Sequence, residues 1–204
     1  MRPSLPRDED VTMPPKNEHA LEFLLTRRSR PAKTLTTPVP DRSAIETMLT
    51  AAARTPDHGK LEPWRFIVLE RAALLRLAGL VEPHGERLGK TRLDIDKACR
   101  QYEDAHLVIA VVEVQKPSEK IPALEQTYST GAVCLALLTA ALASGWGANW
   151  LSSWPSHDRD FATEGFGLAD NERIAGLIHL GTETMTPPDR PRPDMAAITT
   201  WVAT

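Results

Sequence analysis

Leu21, Leu24 and Leu25 fall on one face of the segment from about Glu18 to Thr26, a spacing that predicts a first helix. Pro31 ends any continuation and leaves Arg27, Arg28 and Ser29 in the exit loop. Behind Pro40, Asp41 is placed to cap a second helix whose apolar stripe is Ile45, Met48, Leu49 and Ala52, and Pro56 stops it. Arg65 to Leu69 then predicts a short buried strand and Ala72 to Leu80 a helix. The charged segment from Glu86 to Glu103 is expected to be helical, with a solvated or lid-like face. His106 to Val114, rich in Val, Ile and Ala, suits a fully buried strand. Gly131 to Ser144 predicts a central core helix, Ala148 to Leu151 a short strand, and Ile174 to Leu180 a buried strand ended by Gly181. The alternation of helices and strands predicts an α+β chain, with helices around one central mixed or antiparallel sheet.

Two segments are left without cover. The central helix is apolar on nearly every side, so it must be covered on nearly every side, and a subunit interface is the natural solution. After Gly181 the chain carries Pro187, Pro188, Pro191 and Pro193, which predicts an extended arm. The arm ends in Ile198-Thr199-Thr200-Trp201-Val202, an apolar, strand-like piece in need of a partner to bury Trp201.

Composition narrows the function classes. The 204 residues, 42% hydrophobic and 25% charged, fit one globular domain, expected over residues 17–204 with the arm starting at about 182. A net charge of −3 supplies no basic field, so nucleic acid is not an expected partner. Cys99 and Cys134 are too few for a disulfide framework or a structural zinc site. Residues 1–16 carry acidic Asp8-Glu9-Asp10 and no apolar stretch, unlike a secretory or transit signal, and are expected to form a flexible leader. The most apolar window, Ala132 to Ala143, falls short of the roughly 20 residues that a spanning helix needs. A soluble, cytoplasmic protein is expected.

Candidate chemistry clusters in three places. Guanidinium forks bind phosphate monoesters, and Arg27, Arg28 and Ser29 offer such donors, although a solvated basic turn at a helix end uses the same residues. Arg190 and Arg192, in the proline-stiffened tail, are placed to complete a phosphate site. His58 follows Arg54 by one helical turn, so the two can aim at one ring carbonyl or phosphate. No second histidine stands at metal-ligand spacing, and no metal site is expected. Trp146, Trp150 and Trp154 supply either aromatic walls for a flat ligand or packing at a dimer interface. Gly145-Trp146-Gly147 resembles half of a dinucleotide fingerprint but follows a helix rather than a strand, so that reading fails.

Arg27-Arg28-Ser29, Arg54-Thr55-Pro56-Asp57-His58 and Pro63-Trp64-Arg65-Phe66 together resemble the flavin-dependent nitroreductase family, in particular a short bacterial subgroup of NAD(P)H nitroreductases. Trp146 to Ser152 and His179-Leu180-Gly181-Thr182 fall in the order the subgroup would place them, so the resemblance covers roughly Leu21 to Gly181. It implies a three-layer α/β/α fold and a homodimer with domain-swapped arms and one FMN at each of two interfacial sites. Arg27, Arg28 and Ser29 would hold the phosphate and ribityl end, and Arg54 and His58 would reach the flavin from the other subunit. Trp150, Leu151 and Ser152 would line the ring, with Arg190 and Arg192 as further phosphate ligands. The implied activity is ping-pong hydride transfer from NAD(P)H through FMN to nitroaromatic or quinone-type acceptors, with no side chain as catalytic acid or base. The rivals are dehydrogenation or dehalogenation of a specific metabolite, and non-catalytic FMN storage. Two positions depart from the subgroup: Glu62 replaces a glutamine, and Leu151 replaces an arginine. Glu164-Gly165-Phe166 imitates a flavin-contacting triplet of the larger family but is taken as coincidental.

Overall fold

The computed structural model describes residues 15–204; residues 1–14, most of the expected leader, lie outside the described residues. Asn17 caps α1 (Glu18–Thr26) and Asp41 caps α2 (Arg42–Ala52), each side chain accepting from a backbone N–H of the first turn. Between the two helices lies the short strand β1 (Leu35–Thr36). Strand β2 (Trp64–Glu70) leads into α3 (Arg71–Arg87), and α4 (Arg92–Glu103) leads into β3 (Leu107–Val114). The rest comprises α5 (Ala123–Ala143), β4 (Gly147–Leu151), α6 (Arg159–Phe166), β5 (Glu172–Glu183) and α7 (Met195–Ile198).

All strand pairs are antiparallel. The order runs β1-β5-β3-β2, and β4 also pairs with β5, which makes β5 the strand the sheet is built on. One face packs a core of α3, α4 and α6 residues such as Leu77, Tyr102 and Phe161. The opposite face packs α2 and α5 through Met48, Val133 and Leu137, so the architecture has three layers. β2 is an edge strand, so Trp64 to Ile67 are half-buried and Val68 is exposed, and within the run that predicts a buried strand only Leu69 is fully buried.

Several boundaries differ from the sequence expectation. α3 runs past Leu80 and through Pro83, because Val81, His84 and Gly85 extend the buried stripe of Leu74, Leu77 and Ala78. Burial of one face outweighs the N–H that proline lacks. The charged segment divides at Thr91, which caps α4; Ile95, Ala98 and Tyr102 make this helix a core element with one solvated face. α5 starts eight residues before Gly131, and at 21 residues it is long and apolar enough to cross a bilayer by length and composition. Its buried face packs on the sheet instead. Its early polar residues have structural work: Ser129 Oγ donates to Pro56 O at 2.8 Å, and Thr130 Oγ1 donates to Pro63 O at 3.0 Å. The tail forms α7 and then irregular chain rather than the expected strand, with Trp201 90% exposed.

Close backbone approach fixes the β1 edge. A Cβ on Gly181 would lie 2.7 Å from Thr36 O, and one on Gly147 would lie 2.5 Å from Leu35 Cδ2 and 3.0 Å from Gly181 O. Glu172 anchors the start of β5: Arg65 holds it with Nε–Oε1 2.6 Å and Nη2–Oε2 2.7 Å. That pair takes the Glu172 carboxyl down to about 2, helped by the Ala169 N–H.

Two outcomes follow. Gly181→Ala should destabilise the fold by about 2 kcal/mol, the cost of overpacking against backbone that has no rotamer to yield; a wild-type urea midpoint would refute the tight approach. Glu172 has a folded-state value below its ordinary 4.5, so its contribution is complete above about pH 4.5 and is lost as pH falls toward 2. Arg65→Met should therefore lower stability near neutral pH by about 2 kcal/mol and flatten the acid limb in that window, measured by urea unfolding across pH.

Candidate functional site

The Arg27-Arg28-Ser29-Arg30 loop is stitched to the sheet edge. Arg30 N–H donates to Ala148 O of β4 at 2.8 Å, and Arg30 Nε pairs with Glu183 of β5 at 2.7 Å. The loop borders a cavity of about 650 Å³ with Phe23, Trp146, Gly147 and Thr182 on its walls. Arg27 Nη1 and Arg28 Nη1 are buried there without a hydrogen-bond partner. An unpaired buried guanidinium nitrogen is costly, so the cavity is prepared for an anion.

A second cavity, about 740 Å³, lies against α4 at the other end of β4. Ala32 and Lys33, just after the arginine loop, form one rim, and Leu151, Ser152, Ser153 and Trp154 form another. His179 of β5 and Gln101 of α4 close it. Gln101 Nε2, Ser153 Oγ and His179 Nε2 are again buried and unpartnered. Among the described residues, seven buried side-chain polar atoms lack a partner, and five of them lie on these two cavities. The other two, Tyr102 Oη and Ser156 Oγ, belong to side chains buried in the core. Burial pushes the His179 imidazole down to about 4, so it is neutral at physiological pH.

The structure brings some expected site residues together and separates others. Arg27 and Arg28 share the first cavity; Leu151 and Ser152 share the second; Ser29 lies in the intervening loop and lines neither. Strand alternation turns Trp150 to the face opposite Leu151, where its indole covers Gly176; a Cβ there would lie 2.1 Å from Trp150 Nε1. The other two tryptophans part likewise, Trp146 to the first cavity and Trp154 to the second. Ser152 Oγ and His157 Nε2 are hydrogen-bonded at 2.8 Å.

The arm returns to the arginines. Asp189 accepts from Arg190 N–H at 2.7 Å and from Arg192 Nη2 at 3.0 Å. The Arg190 amide, with the charges of Arg192 and Arg28, holds its carboxyl below the usual range. Arg192 and Arg28 thus act on one carboxylate, whereas Arg190 contributes a backbone N–H.

Arg54 and His58 line cavities of their own, apart from both of these. His58 Nδ1 is hydrogen-bonded to Glu125 of α5 at 2.7 Å. The loop after His58 takes left-handed backbone at Lys60 and Glu62, and Asp57 Oδ2 accepts from Glu62 N–H at 3.0 Å. Glu164-Gly165-Phe166 forms the last turn of α6, with Gly165 and Phe166 in the core. Cys99 and Cys134 are unpaired, and among the described residues no cluster of His, Cys, Asp or Glu could hold a metal ion. Gln101 and Ser153 carry no motif in the sequence, and His179 stands in a segment of the family resemblance that gives it no role; the fold brings the three together.

Comparison with known proteins places the chain in a family. A family model described as "Nitroreductase family" matches residues 24–182. The "Putative NAD(P)H nitroreductase YdjA" of Escherichia coli (strain K12) is 34% identical over 163 residues, covering 80% of this chain and 87% of that protein. A "Putative NAD(P)H nitroreductase" of Haemophilus influenzae is 35% identical over 165 residues, covering 80% and 88%. Among solved structures, a nitroreductase-like family protein from Bacillus cereus superposes with a TM-score of 0.74 at 21% identity, over 94% of this chain and 99% of that one. A Desulfovibrio desulfuricans protein solved in complex with FMN superposes with a TM-score of 0.71 at 19% identity, over 93% and 99%. These two likenesses show the fold, and the sequence matches show the kinship: the chain belongs to the nitroreductase family of oxidoreductases.

Proposed function

We propose that this protein is an FMN-dependent NAD(P)H oxidoreductase that works as a homodimer. The observation that carries the reading is the pair of buried, unpartnered guanidinium nitrogens of Arg27 and Arg28 in one cavity. They fit a phosphate monoester in charge and donor geometry. Arg192 does not line that cavity, but it holds Asp189, whose carboxylate feels the charge of Arg28, so the arm is a candidate source of a third guanidinium. Leu151 and Ser152 wall the ring end, and Ser29 lies on the path between the two cavities. When bound, FMN supplies two-electron chemistry, accepting a hydride from NADH or NADPH and delivering it to a nitroaromatic or quinone-type acceptor. The protein's part is to bind, orient and exclude water, and none of its side chains is assigned as an acid or base.

Exposed apolar surface supports the dimer reading. Leu24 and Leu25 on α1, Tyr128 and Leu135 on α5, and Trp201 and Val202 on the arm all stay exposed in one chain. Packing of these faces against a second copy would remove that apolar surface from water. It would also let Arg54 and His58 serve the partner's flavin. Two free thiols accord with a reducing, cytoplasmic setting.

Titration of the purified protein with FMN should give a perturbed flavin absorption band, and NADH or NADPH should bleach it in stopped flow. A protein that ignores FMN, or binds it and resists both nucleotides, overturns the proposal. Arg28→Ala should weaken FMN about 10- to 100-fold, the loss of a charge-assisted hydrogen bond. Light scattering should report a dimer, and removal of residues 195–204 should shift it toward monomer; an unshifted dimer would strike out the arm's role.

A further inference from the structure

We propose that Gln101, Ser153 and His179 recognise the pyrimidine edge of the flavin ring in the second cavity. The inference rests on the FMN reading and adds residues that neither the family resemblance nor the comparisons assign. Its foundation is convergence: three polar atoms, from helix α4, from the segment after β4 and from strand β5, are each buried without a partner on one cavity. His179 is only 3% exposed. Leaving three such groups unsatisfied is costly, so the fold holds them ready for a ligand with complementary groups.

The chemistry of that ligand can be read from the donors. Gln101 Nε2 offers N–H only, whereas the Ser153 hydroxyl donates or accepts. His179 is neutral, because burial pushes it down to about 4, and a neutral imidazole carries one N–H and one lone pair. The set therefore matches an edge on which carbonyl oxygens alternate with an N–H. The flavin's pyrimidine side is such an edge; its dimethylbenzene side has no hydrogen-bonding group and would leave all three atoms unpaired. The remaining wall suits the flat body of the ring, since Ala32, Ala98, Ala105, Leu151 and Trp154 are apolar or aromatic.

Spacing supports the same assignment. The first cavity reaches β4 at Gly147 and the second reaches it at Leu151. Four residue steps of strand span roughly 13 Å, a distance suited to a ribityl chain joining a phosphate to a ring. The 27–33 loop runs alongside, with Arg27 and Arg28 at one end and Lys33 at the other. Lys33, Lys97 and Arg100 outnumber Asp94 and Asp104 on the second cavity, a balance that favours an edge rich in carbonyl oxygens.

The test separates ring from phosphate by titrating two probes, FMN and lumiflavin, the same ring without ribityl phosphate. Fluorescence quenching is read for wild type, Gln101→Leu, His179→Leu, His179→Gln and Arg28→Ala, with thermal melts to confirm folding. Gln101→Leu and His179→Leu should each weaken both probes about tenfold and shift the flavin absorption band. His179→Gln keeps a neutral donor and acceptor and should recover most of the loss even if the leucine variant folds poorly. Arg28→Ala should weaken FMN and leave lumiflavin unchanged. If folded Gln101→Leu and His179→Gln bind both probes with wild-type affinity and spectrum while His179→Leu also binds normally, the edge assignment is wrong and the FMN reading stands. If wild type binds neither probe, the FMN reading falls and the edge assignment with it.

Discussion

The backbone of Leu35–Thr36 lies so close to Gly181 that no side chain fits between them, and the position of everything on that edge depends on this contact. β5 accepts three neighbours, β1, β3 and β4, along its twelve residues. Gly147 and Gly181 face each other across β4 and β5, and Leu35 closes over them. Because β1 is thereby held, the loop before it is held as well, and Arg30 can bond Ala148. The arginines owe their placement to two missing Cβ atoms on strands more than a hundred residues further along the chain.

The same edge explains why two cavities lie along one strand. β4 is only five residues long, and side chains alternate across it, so Trp150 covers Gly176 on one face while Leu151 opens on the other. The bulge in β5 between the partners of Val111 and Val112 falls beside Gly176, where the extra residue bends the strand under the indole. The three tryptophans that look alike as a cluster in the sequence thus do three jobs in the fold.

Helix periodicity and strand composition made most elements legible, because a stripe such as Ile45, Met48 and Ala52 is a local signal with a local cause. Errors arose where a distant contact settled the outcome. Pro83 does not end α3, since a buried face carries the helix over it. α5 begins among polar residues whose side chains bind Pro56 and Pro63, loops that no local pattern relates to the helix. The site divides in the same way. Arg27 and Arg28 could be picked out because guanidinium forks side by side suit a narrow ligand class. Gln101, Ser153 and His179 could not, because a lone glutamine in a charged helix and a lone histidine in an apolar strand are ordinary until the sheet brings them to one cavity.

Energetics link the two ends of the site. Each unpartnered buried polar atom costs on the order of 1–3 kcal/mol relative to a satisfied one, and five of them lie on the two cavities. A domain of ordinary stability, about 5–15 kcal/mol, keeps such an arrangement only if its other contacts are secure. Those contacts are visible: the bidentate Arg65–Glu172 pair at the start of β5, and the buried Glu113 held by Arg173 and Thr127 beside it. Burial alone would raise the Glu113 carboxyl, yet the hydrogen bonds from Arg173, Thr127 and Gln115 hold it below its ordinary range. The strongest carboxylate networks thus sit at the start of β5, and the unpartnered polar atoms gather toward its other end, where β4 and the arginine loop meet it. A ligand that satisfies the second set is favoured by the relief of that cost, and by linkage its binding adds to the stability of the fold that holds it.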